Sequence, residues 1–289
     1  MRNRLRRLHP AQHHRPSQAG SRLLSWSRRA PAVKGEAVIS DRCERHGFLQ
    51  TMFSTEQRNM IASETIPIVL LPGMDGTGEL LTKLANKLSM VRPVKIISYP
   101  MQPSLSYKDL TSFVVERVPR ERFVILGESF SGPIAIEIAA REPRVAGLVL
   151  ASSFACHPIP RLFSPLAKII DFRRIPAAIV SAVLLGSTGT PDLKVHLGQL
   201  LKKLPREVNR TRIAEVLRVD KRKRLRQVSC PTPCICGKYD RLTGQLCLKQ
   251  ILAAQPRCQV LWLNASHMLL ETHAELTADA IHKFCARLG

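Results

Sequence analysis

From Ile66 onward, short apolar runs alternate with amphipathic stretches of helical period, and this alternation limits the fold more than any other feature of the chain. Apolar runs at 66–71, 94–99, 122–126 and 145–150 are separated by segments whose apolar residues recur every three or four positions. Leu80, Leu81, Leu84 and Leu88 mark one such face, and Leu110, Phe113, Val114 and Val118 the next; residues 133–141 form a third. Brief apolar runs flanked by helical patterns are buried strands, and strands linked by helices pair in parallel with both faces of the sheet covered. The class expected is α/β, a mostly parallel sheet flanked by helices.

The alternation stops between about 155 and 228. Helical patterns at 162–171, 177–185, 193–204 and 209–219 follow one another with no strand between them. Strand texture returns at 232–236 and 258–263, with helices at 245–254 and 274–288. An all-helical insertion between two strands of a parallel sheet suggests a cap over the carboxyl edge, where open sheets hold their ligands. The expected organisation is therefore a core of 60–154 and 229–289 with a helical cap insertion at 155–228.

Residues 1–59 show neither period. They are rich in Arg, His, Ser and Pro, carry a net charge of +8, and contain no acidic residue before Glu36. Such a composition cannot build a core, so a basic, disordered N-terminal extension is expected. It fits a gene start placed too far upstream, with Met52 or Met60 the true first residue, an organellar transit segment, or a functional basic arm. The whole chain of 289 residues carries +22, a field that attracts polyanions but says nothing about fold.

Eight cysteines are too few for a disulfide scaffold, and most lie among apolar residues, which suits a reducing compartment. The expected location is cytoplasmic, or an organelle if 1–59 is a genuine transit segment. The longest uncharged run, 175–191, falls short of the roughly 20 apolar residues of a spanning helix, so no transmembrane segment is expected.

The chemistry concentrates in Val124-Ile-Leu-Gly-Glu-Ser-Phe-Ser-Gly-Pro-Ile-Ala-Ile136, which reads as a strand, a sharp turn centred on Ser129, and a helix. Such an elbow needs small residues around it and presents the central hydroxyl at the helix N-terminus. Gly127 meets the first demand. At the second, Ser131 stands where glycine is usual, with Gly132 one position later. An ordinary strand-to-helix turn with a capping serine is the plainer alternative.

A serine hydroxyl needs a base, and the base needs an orienting group. His267 follows the last expected strand directly and emerges at the same sheet edge as the elbow. Of the carboxylates between Ser129 and His267, only Asp240 immediately follows a strand, giving the chain order Ser, Asp, His. An oxyanion needs hydrogen-bond donors. The Phe130 N–H is one candidate, and the Met74 N–H, in the glycine-rich loop Leu71-Pro-Gly-Met-Asp-Gly-Thr-Gly78, is the other. That loop lacks the Gly-Lys-Ser/Thr ending and the G-x-G-x-x-G spacing of phosphate-binding turns.

With these residues in view, positions 65 to 289 resemble the α/β-hydrolase superfamily, and the two glycine-rich motifs are similar to those of bacterial serine esterases and the hydrolase part of plant phytyl ester synthases. The resemblance implies an α/β-hydrolase fold with an inserted cap, a Ser129-Asp240-His267 triad acting on a small-molecule ester, and neither metal nor organic cofactor. It leaves open hydrolysis of carboxylic esters, thioester cleavage, or acyl transfer involving acyl-carrier protein, CoA or lipid. Pro72, where many members carry His, and Ser131 depart from the commonest pattern.

Leu162, Phe163, Ile179 and Leu184 are candidates for lining the acyl pocket. The run Lys221-Arg-Lys-Arg224 is either a solvated helix end or a landing patch for an acidic carrier protein or an anionic lipid surface. Cys230, Cys234 and Cys236 lack the spacing and partners of a zinc site and read as buried thiols. Nucleic acid is not expected as a partner, since 5% aromatics offer few stacking residues and no zinc-finger or RRM signature occurs.

Overall fold

A computed structural model describes residues 65–158 and 175–288. The basic extension at 1–59, the helix expected at 162–171, and the pocket candidates Leu162 and Phe163 lie outside the described residues.

Among the described residues, six strands form one sheet: β1 (Ile68–Leu71), β2 (Val94–Ile96), β3 (Phe123–Glu128), β4 (Val145–Ala151), β5 (Pro233–Gly237) and β6 (Gln259–Leu263). Their spatial order is β2-β1-β3-β4-β5-β6, and every pairing is parallel. Period-two alternation divides the core. Val69, Leu71, Ile125, Leu148 and Leu150 face one side of the sheet, and Ile68, Leu70, Val124, Leu126 and Val149 the other. On the first side pack α2 (Tyr107–Val115), α3 (Gly132–Ala139) and α8 (Gly244–Ala254). On the second pack α1 (Thr82–Ser89) and α9 (Ala274–Cys285). Burial on both faces explains why the strands read as continuous apolar runs.

The chain moves outward from β1 to β2 and then returns to place β3 on the other flank of β1. That reversal opens a crevice between the carboxyl ends of β1 and β3, the place where parallel sheets bind ligands. Register sharpens the point. Leu71 pairs with Gly127, and Gly237 with Leu263, so the loops after β1 and β3 leave the sheet side by side, as do those after β5 and β6. The strand expected at 94–99 ends at Ile96 because its continuation serves the loop after β1, with the Tyr99 N–H donating to Gly76 O at 2.7 Å.

Between β4 and β5 lie α4 (Ala177–Leu184), α5 (Pro191–Lys203), α6 (Arg206–Arg218) and the short α7 (Arg222–Leu225). The segment leaves and returns through an antiparallel bridge of Cys156 with Asp220, flanked by His157 N–H to Val219 O at 2.9 Å. Leu185, Leu197 and Met268 form a small apolar cluster of their own, joined by Leu80 and Leu184, which packs these helices over the sheet's carboxyl edge. Residues past the bridge behave differently. Leu225 and Val228 join the main core, and Gln255 Nε2 donates to Val228 O at 2.9 Å, so α7 packs on the sheet's own helices.

Candidate active site

Ser129 directly follows β3 with φ of +45°, a left-handed backbone that a non-glycine residue adopts only under strain. Its neighbours make the turn feasible. A side chain at Gly127 would meet Ser131 O at 2.8 Å and the Cβ of Ala135 at 2.9 Å, and one at Gly132 would overlap Ser153 Oγ at 1.8 Å. Ser131 is fully buried, and its hydroxyl donates to Pro72 O and bonds Tyr99 Oη. The serine at the usual glycine position therefore ties the elbow to the loop after β1, beginning at the unusual Pro72.

His267 sits in the loop after β6, its Nε2 2.8 Å from Ser129 Oγ and its Nδ1 2.9 Å from Asp240 Oδ2. Asp240 is fixed independently of the imidazole. Oδ1 accepts the N–H groups of Leu242 at 2.8 Å and Thr243 at 3.1 Å, and Oδ2 accepts Thr243 Oγ1 at 2.6 Å. Burial works against ionisation of this carboxyl, but His267 and the hydrogen bonds from Thr243 outweigh it and hold its pKa well below the usual carboxylate range. The three side chains thus form one hydrogen-bonded line across 138 residues of sequence.

The loop after β1 lies beside Ser129. Glu128 Oε2 accepts the Gly73 N–H at 3.1 Å, and the next amide, that of Met74, donates to no described residue. Phe130 is held by Tyr107, whose hydroxyl donates to Phe130 O at 3.0 Å and whose ring stacks on it at 4.8 Å. Arg212 reaches down from α6 to donate to Met74 O at 2.7 Å, Asp75 O at 2.8 Å and Pro100 O at 3.3 Å. Beneath the loop, burial pushes the Glu128 carboxyl well above its ordinary pKa, with Glu271 and Asp75 adding repulsion, and burial pushes Glu271 up to about 7.

A cavity of about 200 Å³, open to solvent, lies over Ser129 and His267. Its walls are Met74 and Leu80 from the loop after β1, residues of α4, α5 and α6, and Leu242 and Met268. Of the expected lining residues, Ile179 and Leu184 are both in this wall, although Ile179 is 54% exposed and stands at the rim.

Lys221, Arg222 and Arg224 of the basic run form ion pairs. Lys221 and Arg224 contact the buried Glu137 of α3 at 2.8 and 3.3 Å, with Arg141 there at 2.7 Å, and Arg222 pairs with Asp220 at 2.6 Å. Cys234 and Cys236 lie on β5, and Cys234 Sγ is 3.1 Å from Cys258 Sγ; burial raises the thiol pKa of Cys230 to about 11. No helix among the described residues is long and apolar enough to cross a membrane.

Arg212, Asn209, Glu271 and Tyr99 at this site were not singled out by sequence reasoning. Their positions carry no local signature, since each acts through a neighbour more than 30 residues away or through burial alone. Glu128 was visible inside the elbow motif, but nothing in the motif assigned its carboxyl to Gly73.

The chain has the α/β-hydrolase fold. The enol-lactonase of Burkholderia xenovorans superposes with a TM-score of 0.69 at 16% identity, covering 77% of this chain and 92% of that one. The esterase of Exiguobacterium antarcticum gives 0.69 at 14%, over 76% and 92%. A bromoperoxidase of Bacillus anthracis gives 0.67 at 17%, over 76% and 91%. In sequence, phytyl ester synthase 2, chloroplastic, of Arabidopsis thaliana is 26% identical over 126 residues, 41% of this chain. The match spans only 18% of that longer protein. No family model matches the chain.

Proposed function

We propose that this protein is a serine hydrolase that cleaves carboxylic esters through an acyl-enzyme on Ser129. The observation that carries the reading is the unbroken line of hydrogen bonds from Asp240 through His267 to Ser129, at the mouth of a largely apolar cavity. Ser129 Oγ attacks the ester carbonyl while His267 Nε2 takes its proton, and the carbonyl oxygen acquires the negative charge. The N–H groups of Phe130 and Met74 receive that oxyanion. Collapse expels the alcohol, which takes the proton from His267. A water molecule, deprotonated in turn by His267, then releases the acid and restores Ser129. Asp240 stays ionised throughout and stabilises the imidazolium. The helices between β4 and β5 serve as a cap that shields the acyl-enzyme and shapes its pocket, and neither metal nor organic cofactor takes part.

A fluorophosphonate probe tests the nucleophile. Wild-type protein is expected to form a covalent adduct and to hydrolyse short carboxylic esters, and Ser129→Ala to do neither. Labelling that persists in Ser129→Ala would overturn the assignment.

Acyl transfer is a second reading, favoured by the sequence match to a protein named as a synthase. The same acyl-enzyme would be resolved by an alcohol. Adding a long-chain alcohol to the ester assay separates the two, because a transferase yields the new ester at the expense of free acid.

A further inference from the structure

Asn209, in the first turn of α6, is 1% exposed, and neither its Nδ2 nor its Oδ1 has a hydrogen-bond partner among the described residues. It lines the cavity that holds Ser129 and His267. Leaving a buried amide unpaired is destabilising, and asparagine brings a helix nothing in return. The surrounding wall of Leu80, Val180, Leu184, Leu197, Leu201 and Leu204 would be completed by another apolar residue. The two carboxylates that share this wall already have partners, Glu128 on the Gly73 N–H and Asp75 on the Thr77 N–H at 2.9 Å. Among the described residues of this wall, Asn209 is the one whose side-chain polar atoms are buried with no hydrogen-bond partner.

The helix that carries it is anchored at two later positions. Arg212, three residues on and so on the same helix face, holds Met74 O and Asp75 O, and Glu215 Oε2 accepts the Tyr107 N–H at 2.7 Å. These contacts pin the helix against the loop after β1 and against α2, and Asn209 lies one turn before Arg212, which grips the loop beside Ser129. We infer that Asn209 is a specificity-determining residue and that the ester this site takes carries a hydroxyl or keto oxygen within a few bonds of its scissile carbonyl, followed by an apolar tail. An amide can pair with a hydroxyl through both its oxygen and its nitrogen, and with a keto oxygen through Nδ2. A site built to pair such a group discriminates against the analogue lacking it far more strongly than an apolar wall discriminates by size.

The inference rests on Ser129 as the nucleophile, so its test counts active sites with the fluorophosphonate first. Matched esters of one chain length are then compared by kcat/KM: unsubstituted, 3-hydroxyacyl, 3-oxoacyl, and unsubstituted acyl on a hydroxylated alcohol. At least one oxygenated series is expected to be favoured about tenfold or more over its unsubstituted partner, and which one places the group on the acyl or the alcohol side. In Asn209→Leu that ratio should fall to about 1. Asn209→Asp keeps the acceptor and loses the donor, so it should retain a hydroxyl preference and abolish a keto preference, which carries the test if the leucine variant does not fold. Equal turnover of all series by the wild type, or an unchanged ratio in the variants, overturns the inference and leaves the nucleophile standing. Absence of both adduct and turnover brings down the nucleophile and the inference together.

Discussion

Arg212 Nη1 donates to the carbonyl oxygens of Met74 and Asp75, at 2.7 and 2.8 Å, so one side chain from the helical insertion holds two consecutive peptides of the loop after β1. The peptide N–H of Met74 faces the opposite task, since it is the proposed oxyanion donor. Arg212→Met would leave buried carbonyls unpaired and free the loop, with an expected fall in kcat of about 10–100-fold and a smaller change in KM. Arg212→Lys should restore little, because an ammonium cannot reproduce the guanidinium fork that spans Met74, Asp75 and Pro100. Steady-state kinetics on a neutral ester decide the matter: a loss of melting temperature with kcat intact would show that Arg212 serves the fold alone.

The buried carboxyls give a second expectation, with a definite sign. Burial raises Glu271 from the ordinary 4.5 to about 7, and raises Glu128 as well, so the folded state binds protons that the unfolded chain releases. Their contribution to stability is complete below about pH 4.5 and is lost as pH rises toward and beyond 7. Glu271→Gln removes one of the two ionisations. Its melting temperature should exceed that of the wild type at pH 8, by an amount corresponding to about 1–3 kcal/mol, and converge with it near pH 5. Thermal melts across pH 5–8 check this, and a constant offset at every pH would contradict it.

Asp240 acts in the opposite direction. Its pKa lies below the ordinary 3.8 despite burial, so its contribution is present above that pH and is lost as the solution becomes more acid. Asp240→Asn should lose acid-side stability and, more visibly, turnover. The amide presents an N–H or a single acceptor where His267 Nδ1 and Thr243 Oγ1 both now find Oδ2. By analogy with other Ser-His-Asp sites, kcat should fall about 10³–10⁴-fold, with fluorophosphonate labelling slowed to match. Asp240→Asn turning over within tenfold of wild type would mean that the imidazole is oriented by something else.

The parts of the site that sequence reasoning located share one property: each lies at the carboxyl end of a recognisable strand. Ser129, Asp240 and His267 could be placed because apolar runs mark the strands and parallel topology sends the following loops to one edge. Arg212 and Asn209 could not. They belong to a helix whose pattern of apolar residues says that it packs, but not on what, and the ladder register that placed the loops does not extend into the insertion. The basic run shows the same boundary from the other side. Charge and a place at the end of the expected cap made Lys221–Arg224 a candidate docking patch, and only the packing of α7 on α3 reveals Glu137 buried beneath Lys221 and Arg224. Glu271 was invisible for a related reason, since an acidic residue after His267 reads as solvent-facing until its burial is known.

Ser131 offers the last test, because there the departure from the commoner glycine has acquired a purpose. Its buried hydroxyl donates to Pro72 O and bonds the Tyr99 hydroxyl, joining the elbow, the loop after β1 and the segment that follows β2. Ser131→Gly restores the usual elbow residue yet orphans both partners, so destabilisation of about 1–3 kcal/mol is expected. Tyr99→Phe alone should cost less, since Ser131 keeps Pro72, and the double variant should be less destabilised than the sum of the two. Denaturant titration of the four proteins measures that coupling. Additive losses would separate Tyr99 from Ser131, and a Ser131→Gly protein as stable as wild type would show that the loop is held by Glu128 and Arg212 without the serine.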